Sequence, residues 1–197
     1  MDLNVRDLIT IVILSVIMLI IQFLVGSITA FNVFVSMVLS SAIICFLNAT
    51  VFLLMSARVK KRGLFLIYTL LMSVAYVIMG YWFLFPVLLA IGLVGEFVIM
   101  RGENSYESMN RVTGLWTYFS FTFVFISVIP IAFLWDMYSK IAEAGGFSEE
   151  YLDAAHMYFT DPLWLLVIFA LTTVCGFLGC LFGRKLMKKH FEKAGMI

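Results

Sequence analysis

The stretch that decides the fold is residues 64–100, LFLIYTLLMSVAYVIMGYWFLFPVLLAIGLVGEFVIM, which carries a single charged side chain, Glu96. As one α-helix it would be about 55 Å long, almost twice the thickness of the hydrocarbon core of a bilayer. It must therefore fold back. Pro86 marks the place, because proline lacks an N–H and favours the first turn of a helix. We predict two membrane spans here, residues 64–82 and 86–100.

The composition of the whole chain fits this interpretation. Hydrophobic residues make up 63% of the 197 residues and charged residues only 13%, whereas about a quarter of a soluble domain is charged. Such a chain cannot cover its own surface with polar groups, so it requires lipid as its solvent. The basic residues lie in short loops and a tail rather than on a groove-shaped patch, so no nucleic-acid partner is expected.

Four further apolar segments are long enough to cross a bilayer. The six predicted spans are approximately residues 8–25, 33–57, 64–82, 86–100, 112–134 and 162–183. Gly26 and Ser27 are expected to loosen the end of the first span, and Pro130 is expected to kink the fifth. The first span is too long for a signal peptide and has no cleavage site after it. The sequence thus predicts an all-α integral membrane protein, with residues 1–197 forming one domain, a bundle of six transmembrane helices.

The distribution of basic residues predicts the orientation. With the N-terminus in the cytoplasm, only Lys140 of the 13 Lys and Arg residues falls outside. This satisfies the positive-inside rule at every loop and also places the C-terminus in the cytoplasm. The inner set is Arg6, Arg58, Lys60, Lys61, Arg62, Arg101, Arg111, Arg184, Lys185, Lys188, Lys189 and Lys193.

The longest outer connection, residues 136–161, is net acidic and predicts a lid over the outer mouth of the bundle. Ser148 is a good N-cap for a helix, and Glu149 and Glu150 would follow in its first turn, where carboxylates favour the helix dipole. The apolar face of this amphipathic helix would consist of Leu152, Ala155, His156 and Phe159.

Glu96 is the one acidic residue predicted to lie within a span. Ionisable groups are costly in lipid, so its presence needs a reason. Two interpretations remain open: an interfacial carboxylate paired with a nearby arginine, or a functional contact to a partner or gating element. Gln22, Asn48 and Thr50 are other polar residues within spans, and hydrogen bonds between helices explain such residues in most bundles.

Enzymatic chemistry has little support in the sequence. His156 and His190 are the only histidines, and no metalloprotease, serine-hydrolase or paired-aspartate motif is present. No glycine-rich loop could cradle the phosphates of ATP. Cys45, Cys175 and Cys180 lie in apolar stretches and are expected to be buried hydrophobic residues rather than metal ligands. We therefore expect a protein that is not an enzyme and needs neither a metal nor a cofactor.

Aromatic residues gather at the predicted outer ends of the spans. They could form an interfacial belt or a stacking site for a flat organic ligand. Asp136 and His156 are polar neighbours in the lid segment. The candidate substrate-binding residues are Tyr81, Trp82, Trp135, Asp136, Tyr138, His156 and Trp164.

Small residues recur at intervals of four in the sixth span. Gly176, Gly179, Cys180 and Gly183 form two small-x-x-x-small pairs on adjoining faces, which let helix backbones approach closely. The partner of this face could be another span of the chain or another protein.

Three motifs carry a resemblance to a known family. They are LNVRDLITI at residues 3–11, the basic turn RVKKRG at residues 58–63, and GCLFGRKLMKKHFEKAG at residues 179–195, which is the most specific of the three. With the six-span layout, the chain resembles substrate-binding S components of energy-coupling factor (ECF) transporters. Within these it is similar to the subgroup labelled MptD or Trep_Strep.

The resemblance implies a membrane subunit of an ECF-type importer in the plasma membrane of a bacterium. Such a subunit captures a small organic micronutrient, a vitamin or cofactor-like molecule, and docks on a transmembrane coupling protein with two ATPases. Docking would use the cytoplasmic half of the first span, with Thr10, Val12, Ser15 and Val16 as candidates. Valines at 12 and 16 replace the small residues of the subgroup, and Asn48-Ala49-Thr50 replaces a stretch expected to hold glycine and proline. The alternatives are a membrane enzyme or a membrane adaptor without a ligand.

Overall fold

The computed structural model describes residues 3–102 and 104–191, and the side chains of the last two of these are not considered. Lys193 and the end of the C-terminal motif lie outside the described residues. Within them the chain forms nine α-helices and no β-strand. The helices are α1 (Val5–Thr29), α2 (Ser40–Val59), α3 (Leu64–Ile78), α4 (Phe85–Val94), α5 (Met109–Phe123), α6 (Phe125–Phe133), α7 (Trp135–Ala144), α8 (Glu149–Thr160) and α9 (Pro162–Leu186).

Five helical segments among the described residues are long and apolar enough to cross a membrane. They are Val5–Thr29, Val35–Val59, Trp82–Ile99, Met109–Phe133 and Pro162–Lys189. The predicted third span is shorter than expected, because α3 has only 15 residues and is about 22 Å long. It ends at Ile78 because the chain then turns through Gly80, whose φ of 94° is a conformation that favours glycine.

The first helix begins and ends at different residues from those predicted. Its N-terminus is closed by a capping box, in which the Asn4 side chain accepts from the Asp7 N–H and Asp7 accepts from the Asn4 N–H. Gly26 and Ser27 do not interrupt it, and α1 continues to Thr29. The expected loosening at this pair is therefore wrong. A glycine costs a helix only about 1 kcal/mol, which the surrounding regular turns tolerate.

The α3–α4 hairpin follows the turn chemistry of the sequence. Gly63, with a φ of 95°, precedes α3, and Pro86 lies in the first turn of α4. The bundle then has two ends. The basic end carries the turn at residues 58–63, and the opposite end carries the turn at residues 79–84.

A cluster of buried aromatic side chains holds the middle of the bundle together. Phe52 of α2 stacks on Trp116 of α5 with ring centroids 4.7 Å apart, and Phe65, Tyr68 and Phe119 pack edge-on or tilted around them. The indole N–H donates to the Cys45 carbonyl at 2.9 Å, so the polar atom of the largest buried side chain is satisfied.

The small residues of the sixth span face another helix of the same chain. A Cβ at Gly179 would lie 2.5 Å from the Phe46 carbonyl oxygen and 2.8 Å from the Phe46 Cα. A Cβ at Gly183 would lie 3.0 Å from the Cα of Thr50, and one at Gly176 would overlap Ser120. Cys180 is fully buried beside them. Gly179 and Gly183 therefore allow α9 to lie directly against the backbone of α2, and Gly176 allows it to approach Ser120 of α5.

The predicted fifth span is interrupted rather than simply kinked. The regular pattern of helical hydrogen bonds is interrupted at Val124, which separates α5 from α6 although its own backbone stays helical (φ −61°, ψ −30°), and Pro130 lies inside α6. Proline has no N–H to donate to the carbonyl four residues earlier, here that of Ile126, and its ring crowds that carbonyl. The irregular turn at Val124 thus precedes Pro130, whose missing N–H weakens the hydrogen bonding of this part of the helix.

Glu96 does not pair with an arginine; within the described residues no basic side chain lies within salt-bridge distance of it. The carboxylate instead accepts from the Gly63 N–H and the Tyr106 hydroxyl, both at 2.7 Å. Gly63 immediately precedes α3, so the negative charge lies at the positive end of that helix dipole. Burial, and then the charge of Glu96, raise the pKa of Tyr106. Glu96 therefore fixes the start of α3 to the connection after α4.

Replacing Glu96 by alanine is expected to lower the free energy of unfolding by about 2 kcal/mol, because two buried donors lose their acceptor. The melting temperature in detergent should fall by roughly 5 °C. Glu107→Ala is the control, because Glu107 is exposed at the end of the same connection. An unchanged melting temperature for Glu96→Ala would contradict this role.

Candidate functional site

A cavity of about 470 Å³ lies at the end of the bundle opposite the basic turn. Its walls are the last turns of α1 and α3, the first turns of the second span, and α6, and residues of α7 and α8 complete them. This volume falls within the range of sites for small organic molecules. The end of the bundle opposite the basic turn therefore contains a cavity large enough for a small organic ligand.

Two parts of the wall depart from regular helical geometry. Val35–Leu39 forms a π-helical turn ahead of α2, and its Ser36 and Met37 line the cavity. On the other side, Ile126 and Pro130 line it, where proline removes a backbone hydrogen bond. Single π turns are frequent at functional sites, and an interrupted helix inside a membrane bundle is tolerated where it is buried or lines a cavity.

The cavity surface is mainly apolar, and the polar side chains that line it carry no charge. Within the described part of the chain, no Asp, Glu, Lys, Arg or His lines it, and no group of three or more metal-ligating side chains occurs anywhere. Its polar side chains are hydroxyls and one carboxamide, namely Gln22, Ser27, Thr29, Ser36, Ser40, Ser41, Tyr76, Tyr81, Ser127, Tyr138 and Tyr151. This chemistry suits hydrogen bonding to an organic molecule rather than acid–base catalysis or metal binding.

The carboxamide of Gln22 is half satisfied. Its Nε2 donates to the Tyr76 hydroxyl at 2.6 Å, which joins α1 to α3. Its Oε1 is shielded from solvent and has no hydrogen-bond partner. A buried acceptor without a donor is unfavourable, by roughly 1–3 kcal/mol. The atom is enclosed by protein, so a ligand in the cavity would contact it only after the Gln22 side chain rotates.

Helix α8 contributes Tyr151 and Phe159 to the cavity wall. Ser148 caps it, accepting from the Tyr151 N–H at 3.3 Å. Its buried side, Leu152, Ala155 and Phe159, packs into the bundle, and Phe159 also reaches the cavity. The Tyr151 hydroxyl lies 3.4 Å from that of Ser36, across from the π turn. Helix α8 is therefore held against the bundle by one apolar face and one polar contact.

Comparison with protein families decides what kind of protein surrounds this cavity. The model of the Trep_Strep family, described as a hypothetical bacterial integral membrane protein, matches residues 5–193. The chain belongs to the Trep_Strep family. It is accordingly a multi-pass helical membrane protein of bacteria. Searches of curated proteins and of solved structures found no match.

Two of the predicted substrate-binding residues line the cavity of this Trep_Strep protein. Tyr81 follows α3 and Tyr138 belongs to α7, and their rings lie 6.4 Å apart at 34° to each other. Burial raises the pKa of both phenols, so both remain neutral hydroxyls near pH 7. They present two aromatic surfaces and two hydroxyls to a ligand.

The three predicted tryptophans lie elsewhere. Trp82 is 61% exposed at the cavity end. Trp164 packs edge-on against Tyr158 at 4.9 Å, and Trp135 packs edge-on against His156 at 4.8 Å. None of the three lines the cavity. Amphipathic rings at this level of a bundle are typical of a membrane-interface belt.

The two predicted polar candidates also lie outside the cavity. Asp136 is exposed and borders only a shallow depression at the start of α7. His156 is exposed, so the prediction that it lies on the apolar face of α8 is wrong. The geometry of the helix gives the reason. His156 follows Ala155 by about 100° around the helix axis and so lies beside the buried stripe, not on it.

The residues that sequence reasoning missed are Gln22, Tyr76 and Tyr151. Gln22 was interpreted as a contact between helices, and it does contact Tyr76, but one of its polar atoms remains unpartnered. A carboxamide in the middle of an otherwise apolar span was the available signal. Nothing in the sequence indicates that Tyr151 lines the cavity, since its position depends on how α8 packs against the π turn.

The four docking candidates on α1 divide between two faces. Val12 and Val16 are exposed, and Thr10 is half-buried, with its hydroxyl donating to the Arg6 carbonyl. Ser15 is buried, and its hydroxyl lies 4.0 Å from the sulfur of Met55. Ser15 therefore belongs to the interior of the bundle and is not on a surface that another protein could reach.

Tyr138→Ala is expected to weaken retention of a bound small molecule about ten-fold, because it removes one aromatic face and one hydroxyl of the cavity. Trp82→Ala is the matched control and should leave retention unchanged, since that ring is exposed. Mass spectrometry of small molecules released from equal amounts of purified protein measures both. Equal losses in the two variants would contradict the assignment of the cavity.

Proposed function

We propose that this protein is the substrate-binding S component of an ECF-type importer, which captures a small organic micronutrient, a vitamin or cofactor-like molecule, outside the cell. The observation that carries the proposal is the uncharged cavity of about 470 Å³ beneath α7 and α8. A site at the end of a bundle is reachable from one side of the membrane without an open pore. A capture subunit needs such a site.

The motif resemblance and the lack of an energy source support the same assignment. The sequence has no phosphate-binding loop, so ATP hydrolysis would take place in other subunits. The cavity holds no charged side chain among the described residues, so it offers no carboxylate that could couple transport to H⁺. A coupling protein with two ATPases is therefore the proposed partner.

The proposed topology has six spans, with both termini in the cytoplasm and residues 136–161 as an outer lid. In this arrangement α3 is the third span. At about 22 Å it is shorter than a typical hydrocarbon core, and local thinning of the bilayer or the adjoining turn would make up the difference. The basic end faces the cytoplasm, in agreement with the positive-inside rule, and the cavity opens outward.

Cysteine labelling tests this orientation. In intact cells, an impermeant thiol reagent should modify Ser148→Cys and should not modify Lys61→Cys or Lys189→Cys. The unaltered chain is the background control, because Cys45 and Cys180 are buried and Cys175 is half-buried. Labelling of Lys61→Cys in intact cells would reverse the topology.

The proposed docking surface for the coupling protein is the exposed side of α1 near the basic end, including Thr10, Val12 and Val16. Both valines are exposed, at 42% and 46%, on a helix most of whose surface is not covered by this chain. Valine allows a less intimate approach of a partner helix than a small residue does. Docking here would therefore depend more on apolar complementarity than on close backbone contact.

A ligand screen tests the proposed function. Purified protein should be stabilised against heat by one class among vitamins, nucleobases, haem-like cofactors and amino-acid derivatives, because a ligand that binds only the folded state raises its stability. Mass spectrometry of protein from the native host should detect a member of the same class. If no class stabilises the protein and nothing co-purifies, a membrane adaptor without a ligand replaces the proposal. Chemical conversion of the ligand would indicate a membrane enzyme.

A further inference from the structure

We infer that the cavity selects an uncharged molecule with an amide-like edge, in which an N–H and a C=O stand side by side, and that Gln22 and Tyr76 recognise this edge. The inference rests on the proposed function, since it names the substrate class of the same cavity. Its basis is the hydrogen-bond arrangement of these two side chains and the absence of charge among the described lining residues.

The charge of the substrate follows from the lining. A carboxylate, phosphate or ammonium group that leaves water for a cavity without an opposite charge loses its hydration and gains no ion pair. The described lining offers hydroxyls, one carboxamide and apolar side chains only. Charged nutrients are therefore disfavoured, and neutral ones are favoured.

The hydrogen bonds define the edge more closely. Gln22 Nε2 donates to the Tyr76 hydroxyl oxygen at 2.6 Å, so the hydroxyl acts as acceptor in that bond and keeps its own proton to donate. Gln22 Oε1 is buried and unpartnered, and it can only accept. The linked pair at the cavity wall thus has one unused acceptor and one unused donor, and a small rotation of the two side chains would expose them to a ligand.

A lactam or amide edge is the complement of this pair. Its N–H would donate to Gln22 Oε1, and its C=O would accept from the Tyr76 hydroxyl. Both remaining hydrogen-bonding positions would then be satisfied. A site with buried polar groups discriminates strongly against an analogue that leaves one of them unpaired.

The remaining walls suit the body of such a molecule. Met79 and Leu84 supply apolar surface, and Tyr81 and Tyr138 supply aromatic faces. A flat ring that carries a lactam would contact these walls while its polar edge faced Gln22. The substrate class is therefore a neutral, ring-containing molecule with an amide, lactam or imide edge.

Three probes of the same shape test the inference on the purified full-length protein. Quinolin-2(1H)-one carries the lactam edge, 1-methylquinolin-2-one lacks only the N–H, and quinoline-2-carboxylate replaces the edge by a negative charge. We expect the lactam to bind, N-methylation to weaken binding at least ten-fold, and the carboxylate to bind no better than the N-methyl compound. Saturation-transfer NMR and thermal shift measure binding in detergent.

Variants assign the discrimination to the two residues. Gln22→Met keeps the length of the side chain and removes the amide, so it should abolish the preference for the lactam over its N-methyl analogue. Tyr76→Phe should weaken lactam binding while Tyr118→Phe leaves it unchanged, because the Tyr118 hydroxyl donates to the Ile91 carbonyl away from the cavity. If Gln22→Met fails to fold, the comparison of the three probes on the unaltered protein still decides.

The inference is overturned if the N-methyl compound binds as well as the lactam, if the carboxylate binds more tightly, if none of the probes binds at millimolar concentration, or if Gln22→Met keeps the preference. Co-purification with a coupling protein tests the proposed function separately. If the coupling protein co-purifies but the three probes do not bind in the expected order, only the inferred substrate class is refuted. If the probes bind in the expected order but no coupling protein co-purifies, the proposal that the protein belongs to an importer is refuted.

Discussion

Replacing Gly179 by leucine is expected to prevent the close packing of α2 and α9 and to destabilise the protein by about 3 kcal/mol or more. Even a Cβ at this position would lie 2.5 Å from the Phe46 carbonyl oxygen and 2.9 Å from the Ala49 Cβ. The obstacle is the backbone of a helix, which cannot move aside as the tip of a flexible side chain can. The two helices must therefore separate, and the aromatic cluster beside them loses its packing.

Gly114→Leu is the matched control, because Gly114 also lies within a helix and an added Cβ there meets nothing within 4 Å. We expect Gly179→Leu to lower the melting temperature in detergent by roughly 10 °C or to abolish the folded monodisperse species, and Gly114→Leu to behave like the unaltered protein. Equal stability of the two variants would show that α9 does not lie against α2.

Ala75→Trp is expected to reduce ligand binding more than 100-fold while the bundle stays folded. Ala75 of α3 lines the cavity, and an indole there would occupy space that the ligand needs. A loss of 100-fold corresponds to roughly 2.7 kcal/mol, more than the removal of a single stacking contact. Ser41→Trp fills the cavity from α2 on another wall and should have the same effect.

The same substitution at Ala170 is the control, since that residue is exposed on α9 and does not line the cavity. Ligand retained by each purified variant is quantified by mass spectrometry, and thermal unfolding confirms that the variants are folded. If Ala75→Trp and Ser41→Trp both retain the ligand at the level of Ala170→Trp, the ligand binds outside this cavity.

Much of the helical layout could be predicted from the sequence, because lipid imposes a simple requirement on each apolar segment. Pro86 located the turn within residues 64–100, and Asp161 and Pro162 together begin α9, where the Asp161 carboxylate accepts from two backbone N–H groups. These signals are local, so they can be read without knowing which helices are neighbours.

The departures from regular geometry could not be predicted, because they depend on tertiary packing. Nothing in the residues from Val35 to Leu39 marks a π-helical turn, and nothing at Val124 marks the break between α5 and α6. The true partners of Glu96 were also hidden. Gly63 and Tyr106 are 33 and 10 residues away from it, and only the folded hairpin brings all three together.

The site was located only in part by sequence reasoning. Aromatic residues at the span ends indicated the end of the bundle at which the cavity lies, and Tyr81 and Tyr138 line that cavity. The tryptophans, which carry the largest rings, lie around the cavity rather than in it. An amphipathic ring at the membrane surface and a ring that binds a ligand look the same in a sequence, since only burial and direction distinguish them.

The most direct test of the importer assignment is affinity purification of the protein, in mild detergent, from the membranes of its native host. The assignment predicts that quantitative proteomics will detect a transmembrane coupling protein and two ATPases in amounts comparable to the bait. It also predicts that Val12→Trp or Val16→Trp will reduce their recovery while Ala170→Trp will not. Recovery of the protein without any ATPase or coupling protein, and with its bound small molecule intact, would contradict it.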